Sequence, residues 1–126
     1  MDLLDTQLYS MIGDDGFARL TAAFFRRVPT DPILAPMYQH DLAGAEWRLR
    51  EFLVGRFGGP TRYIEQRGHP RLRMRHAPFH IDQAARDRWV SVMEQALAEA
   101  NLPSEADQPL RKFFHEAATF MINRAE

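Results

Sequence analysis

The sequence predicts an all-α protein. Apolar residues recur at steps of three and four through most of the chain, and no stretch keeps strand-period alternation for more than a few residues. The apolar stripes are separated by Pro, Gly and Asp at positions that stop or cap helices. With 126 residues the chain is sized for one domain over 1–126, so separate cofactor and substrate domains are not expected. An apolar share of 45% beside 26% charged residues is that of a globular chain and excludes disordered and collagen-like classes.

The first stripe is Phe17, Leu20, Phe24 and Val28, with Asp14 and Asp15 read as its cap and Pro29 as its stop. Thr30, Asp31 and Pro32 then read as a cap followed by proline in a first turn, and Ile33, Leu34 and Met37 give a short helix ending at Tyr38. Asp41 is the next cap candidate. Behind it Leu42, Ala45, Leu49, Phe52 and Leu53 form a stripe over 42–57, and Gly58 and Gly59 read as its left-handed end. Over 60–81 the periodicity fails, because Pro60, Pro70, Pro78 and Gly68 interrupt a basic string. That segment is expected to be a set of short turns and a candidate site. Asp82 opens a helix with Ala85, Trp89, Val92, Met93, Ala96 and Leu97 on one face, stopped at Asn101-Leu102-Pro103. Ser104, with Asp107 three residues later, approximates a capping box for the last stripe, Leu110, Phe113, Phe114, Ala117, Phe120 and Met121. Taken alone, such stripes mean a packed helical core.

Composition removes several chemistries. With no cysteine there is no disulfide framework, thiolate nucleophile, iron–sulfur cluster or zinc finger, so a transition metal must rest on His, Met, Tyr, Asp or Glu. No phosphate loop, dinucleotide fingerprint or Gly-x-Ser-x-Gly occurs. A net charge of −1 argues against a general nucleic-acid binder, although fifteen of the sixteen basic residues are Arg, a bias that suits anion recognition. No apolar run approaches the ~20 residues needed to span a bilayer, and the N-terminus has no signal-like pattern, so a cytoplasmic protein without membrane contact is expected.

Histidines occur at 40, 69, 76, 80 and 115. His76 and His80 have the i,i+4 spacing of a zinc site, but Pro78 lies between them and no third ligand accompanies them. One neutral imidazole on a short segment beside aromatic and aliphatic helices suits a proximal haem ligand instead. His76 can supply it, and Arg48, Arg71, Arg73 and Arg75 can supply cations for two propionates. The other reading of residues 67–75 is a basic surface on a haem-free helical module that binds an anionic partner. His69, between glycine and proline, is read as a turn-fixing residue.

Four segments together resemble the group II truncated haemoglobins: Asp41-Leu42-Ala43-Gly44-Ala45-Glu46; the run Phe57-Gly58-Gly59-Pro60-Thr61-Arg62-Tyr63; the string Arg67-Gly68-His69-Pro70-Arg71-Leu72-Arg73-Met74-Arg75-His76-Ala77-Pro78-Phe79; and Arg86-Asp87-x-Trp89. The likeness runs over about 8–123. It implies a truncated globin, a two-over-two helical sandwich around haem b (iron protoporphyrin IX). It also implies binding of dioxygen and other diatomic ligands, with nitric-oxide dioxygenation or peroxidase-like turnover if a reductase or oxidant serves the protein. A monomer or weak homodimer is expected.

By the same resemblance His76 is the proximal iron ligand, and Trp89 points its indole N–H into the distal cavity. Tyr38 can donate to bound ligand. Ala45 takes the usual distal-histidine position with Leu49 a turn further on, and Phe52 flanks the haem. Arg48, Tyr63 and Arg75 match residues that meet the propionates, and Leu72 and Phe79 join the cofactor-binding set. The group usually has tyrosine where this chain has Phe25, which moves ligand stabilisation onto Tyr38 and Trp89. The loop after Tyr38 is about one residue shorter than usual, and the glycine pair before the first long helix is replaced by Gly13-Asp14-Asp15-Gly16.

Overall fold

The computed structural model describes residues 3–125, with side chains from residue 6 onward. Seven α-helices follow in order: α1 (Leu3–Arg27), α2 (Ala35–Tyr38), α3 (Leu42–Arg56), α4 (Arg62–Arg67), α5 (Leu72–His76), α6 (Gln83–Ala100) and α7 (Ser104–Phe120). A short 3₁₀ turn, Val28–Thr30, follows α1. The described residues contain no strand.

The first helix begins earlier than its stripe predicts. A helical segment precedes Gly13, which turns the chain at φ 72° and ψ 172°, a conformation open to glycine and strained for other residues. Asp14 and Asp15 are therefore not the first cap: Asp14 meets Arg62 at 2.6 Å and Asp15 pairs with Arg19. The leading segment buries Leu8 and Ile12 and docks on the end of α3, where the Tyr9 amide donates to Phe57 O at 2.9 Å. Gly58, at φ 98°, ends α3 in the left-handed region as expected. A Cβ there would come within 2.1 Å of the Thr6 carbonyl oxygen, so docking and helix termination both require glycine.

The predicted caps at Asp41 and Asp82 form, accepting from the amides of Gly44 and Ala85 at 2.9 Å each. In the Thr30-Asp31-Pro32 cap, Asp31 does the capping, taking the amides of Ile33 and Leu34 at 2.9 Å each. One other is corrected. Ser104 makes no capping box; its hydroxyl donates to Glu105 at 3.1 Å, and Pro103 stands at the cap position.

The four long helices form two layers, α1 with α3 and α6 with α7, joined mainly by α1 packing on α6. Phe17, Phe24, Phe57, Phe114, Leu20, Leu53, Met93 and Leu110 are fully buried between them. Phe120, assigned to the last stripe, is 62% exposed because α7 ends there; the Arg73 guanidinium lies 5.9 Å from its ring centroid. Residues 60–81 hold α4, α5 and their loops. These cover the mouth between the layers rather than adding to the core, which is why their sequence shows no stripe. No helix among the described residues is long and apolar enough to cross a membrane.

Candidate functional site

The two helix layers leave a gap between them, and the short helices α4 and α5 border it. The result is a cavity of about 500 Å³, walled by α1, α2, α3, α6 and α7 and bordered by α4 and α5. Its lining includes Phe25, Tyr38, Ala45, Arg48, Leu49 and Phe52, then Tyr63, Leu72, Arg75, His76, Phe79 and Trp89 of the residues singled out in the sequence, but not Arg71, Arg73 or His80. Sequence reasoning missed Met37, Ile81, Phe113, Phe114, Ala117 and Met121, which also line it. Phe113, Phe114, Ala117 and Met121 sit on a stripe that reads as core, and a cavity wall and a core face carry the same apolar signal.

His76 ends α5. Its Nδ1–H donates to the Leu72 carbonyl oxygen, one turn back, at 2.6 Å. A carbonyl only accepts, so this contact places the ring proton on Nδ1 and leaves Nε2 with a lone pair. The Phe79 ring stands 6.4 Å from the imidazole, centroid to centroid. No other histidine lines the cavity. His69 accepts from the Arg71 amide at 3.1 Å, the expected turn contact, and helps hold Arg71 at φ 44°. His80 lies 3.4 Å from Asp82 instead of sharing a metal position with His76, and His115 lies 3.2 Å from Glu94. Among the described residues no group of three His, Cys, Asp or Glu side chains can hold a metal ion, so the zinc reading has no ligand set.

On α6, Trp89 is pinned between Phe24 and Phe114, with centroids 5.2 and 5.8 Å away. Tyr38, at the end of α2, lines the cavity beside it. Burial pushes the Tyr38 hydroxyl above the ordinary tyrosine range and the polar influence of the Trp89 side chain offsets part of this, so Tyr38 keeps its proton near neutral pH. Phe25 is buried against the same pair, edge-on to both Phe24 and Tyr38.

Cations border the cavity at Arg48, Arg67, Arg75 and Arg86. Arg48 is loosely paired with Asp41 at 3.4 Å, and Arg67 lies 5.9 Å over the buried Tyr63 ring. Arg75 is more occupied than its sequence role implies: it donates to Pro70 O at 2.7 Å and Arg67 O at 3.1 Å, tying α5 to the end of α4. Arg73 turns away and donates to the carbonyls of Phe120 and Ile122 at 3.2 and 3.0 Å. Arg67, Arg73 and Arg75 therefore each serve a separate local partner. A second, shallow depression of about 610 Å³ on α6 and α7 shares only Arg86 with the cavity.

Two crossed helix pairs enclosing an apolar cavity with one imidazole on a short covering helix define a truncated globin. The chain belongs to the bacterial-like globin family, whose model matches residues 7–123, and is a group II truncated haemoglobin. It is 35% identical to the group 2 truncated hemoglobin YjbI of Bacillus subtilis over 94% of this chain and 89% of that one. The hemoglobin of Thermobifida fusca superposes with a TM-score of 0.88 at 45% identity, covering 94% of this chain and 98% of that one. The hemoglobin of Chloroflexus aurantiacus superposes with a TM-score of 0.89 at 44% identity, covering 93% and 98%.

Family membership implies a haem cofactor. The residues present fit one. A single imidazole cannot hold a bare ion, so a metal ligated by His76 must bring its other ligands with it, as the iron of a macrocycle does. The apolar walls suit a tetrapyrrole face, and Arg48 and Arg67 stand where carboxylates at its edge could be met.

Proposed function

We propose that this protein holds haem b through His76 and binds dioxygen and other diatomic ligands in the cavity beside Tyr38 and Trp89. The observation that carries this reading is the pairing of His76 Nδ1–H with Leu72 O on the border of an apolar cavity whose lining includes Trp89 and Tyr38. The relatives support it: the Bacillus subtilis structure is described as an oxygen-avid truncated haemoglobin.

When bound, haem supplies an iron centre that takes small ligands and changes oxidation state. The chain's own contributions follow from its geometry. Leu72 fixes the tautomer and ring plane of His76. Phe52, Phe113 and Phe114 exclude water from the cavity. Tyr38 and Trp89 supply a hydroxyl and an indole N–H, the polar donors for a bound ligand in an otherwise apolar wall. Arg48 and Arg67 hold the carboxylates at the mouth. Turnover as nitric-oxide dioxygenation or peroxidase-like chemistry needs an electron donor or oxidant from outside this chain, so ligand binding is the primary activity.

The test is the colour of the purified protein. A Soret band that survives gel filtration is expected. A colourless protein that takes up no added hemin would overturn the reading.

A further inference from the structure

Residues 121–125 adopt no regular structure, yet they are tied to the 76–81 segment by five hydrogen bonds. The amides of Asn123 and Arg124 both donate to Ile81 O, at 2.9 and 3.1 Å. The side-chain amide of Asn123 makes the other three. Its Oδ1 accepts from the Ile81 amide at 3.0 Å, and its Nδ2 donates to the carbonyls of His76 at 3.1 Å and Phe79 at 3.0 Å. These partners also fix which end of the amide is oxygen: reversed, it would set N–H against N–H and oxygen against two carbonyl oxygens. Chain ends normally fray unless something holds them.

α5 needs such an anchor. It is five residues long, opens at a left-handed Arg71 with no side-chain cap, and packs extensively on none of the long helices. Its last carbonyls have no helical partner. At its start Arg75 ties it to α4; at its end the His76 carbonyl is taken by Asn123 and by the Phe79 amide at 3.0 Å. Arg73 reaches the same tail through Ile122 O.

We propose that Asn123 is a positioning residue for His76: its amide clamps the end of α5 and so sets where the imidazole presents Nε2. This rests on His76 being the haem ligand. Groups that orient a metal-bound histidine commonly change metal affinity by about ten- to a hundred-fold when removed. Here the hold is on the ligand's backbone, while Leu72 holds its ring.

The experiment uses the haem-loaded protein and three variants. Asn123→Ala removes the clamp. Asn123→Asp keeps its size and the acceptor for Ile81 but replaces two donors with an oxygen facing two carbonyls. Arg124→Ala keeps the backbone bond to Ile81 and is the tail control. Hemin transfer to an acceptor protein should be about tenfold faster in Asn123→Ala and at least as fast in Asn123→Asp, with wild-type behaviour in Arg124→Ala. Resonance Raman of the deoxy ferrous form should show the iron–imidazole stretching band shifted or broadened in both Asn123 variants. A lowered thermal midpoint with the band and hemin transfer at wild-type values would overturn the proposal, since that is what a residue of merely structural importance gives. If the variants fail to fold, hydrogen exchange on the loaded wild type decides: a protected Ile81 amide supports the clamp, and exchange at the rate of an unstructured peptide overturns it. His76→Ala, measured alongside, tests the underlying reading separately: retention of the band there would overturn the ligation on which the proposal rests, whereas its loss with unchanged Asn123 variants overturns the clamp alone.

Discussion

Phe25 meets Tyr38 edge-on, with ring centroids 5.3 Å apart and planes at 88°. A phenylalanine at this position packs against the tyrosine without offering its hydroxyl a partner. Trp89 lines the same cavity and counters part of the upward shift that burial gives the Tyr38 hydroxyl, so the two polar groups are coupled. Tyr38→Phe and Trp89→Phe should each raise the dioxygen off-rate about tenfold, equivalent to roughly 1.4 kcal/mol. The double variant should be little worse than either alone, because the two groups act on a bound ligand as one coupled unit. Stopped-flow dissociation reads all three. Multiplying effects in the double variant would mean two independent donors.

Phe25→Tyr tests the same wall from the other side. A hydroxyl that reaches Tyr38 or the cavity should slow dioxygen release, whereas one that finds no partner should lower the thermal midpoint through a buried unpaired group without slowing release. Off-rate and midpoint measured on the same preparation separate the two.

Much of this site is legible in the sequence because its residues sit in local patterns. His76 stands in a proline- and arginine-rich string unlike any core helix, and Asp41 and Asp82 precede apolar stripes as caps do. Where the reading stopped, the cause was contact at long sequence range. Gly13 looks like the edge of a helix start, and only docking of the preceding segment on Phe57 shows that helix lies on both sides of it. Thr30 and Asp31 are both capping residues, and the choice between them is made by Arg88, 57 positions away. Asn123 lies 47 residues from the carbonyl it holds, and nothing in its neighbourhood signals a role.

Asp31 predicts an acid sensitivity. It is 4% exposed, accepts the amides of Ile33 and Leu34 ahead of α2 through Oδ1 and pairs with Arg88 through Oδ2. Burial pushes its carboxyl up, but the amides of Leu34 and Ile33 and the Arg88 guanidinium outweigh this and hold it below the ordinary aspartate value. A carboxyl depressed in the folded state contributes stability that is complete above the unfolded value of about 3.9 and is lost as pH falls through the lower folded value. Asp31→Asn should cost about 1–3 kcal/mol at neutral pH and flatten the pH dependence of stability below about 4, as followed by denaturant unfolding. An unchanged acid limb in the variant would contradict this.

The arginines at the mouth should have modest and unequal effects. Arg48 and Arg67 lie near solvent, where a charge pair is worth roughly 0 to 1 kcal/mol, so Arg48→Ala and Arg67→Ala should speed hemin loss several-fold, and added salt should shrink the difference. Arg75→Ala should act more strongly and with less salt dependence, because it also releases the carbonyls of Pro70 and Arg67 that fix the start of α5. Hemin transfer rates at two ionic strengths distinguish the two kinds of arginine.

Ligation by His76 is tested most directly by the ferrous resonance Raman spectrum of His76→Ala beside wild type. Wild type should give an iron–imidazole stretching band and retain haem through gel filtration. The variant should lose the band and release haem, and added imidazole should restore a five-coordinate histidine-like spectrum. An undiminished band in His76→Ala, with haem retained, would contradict the account.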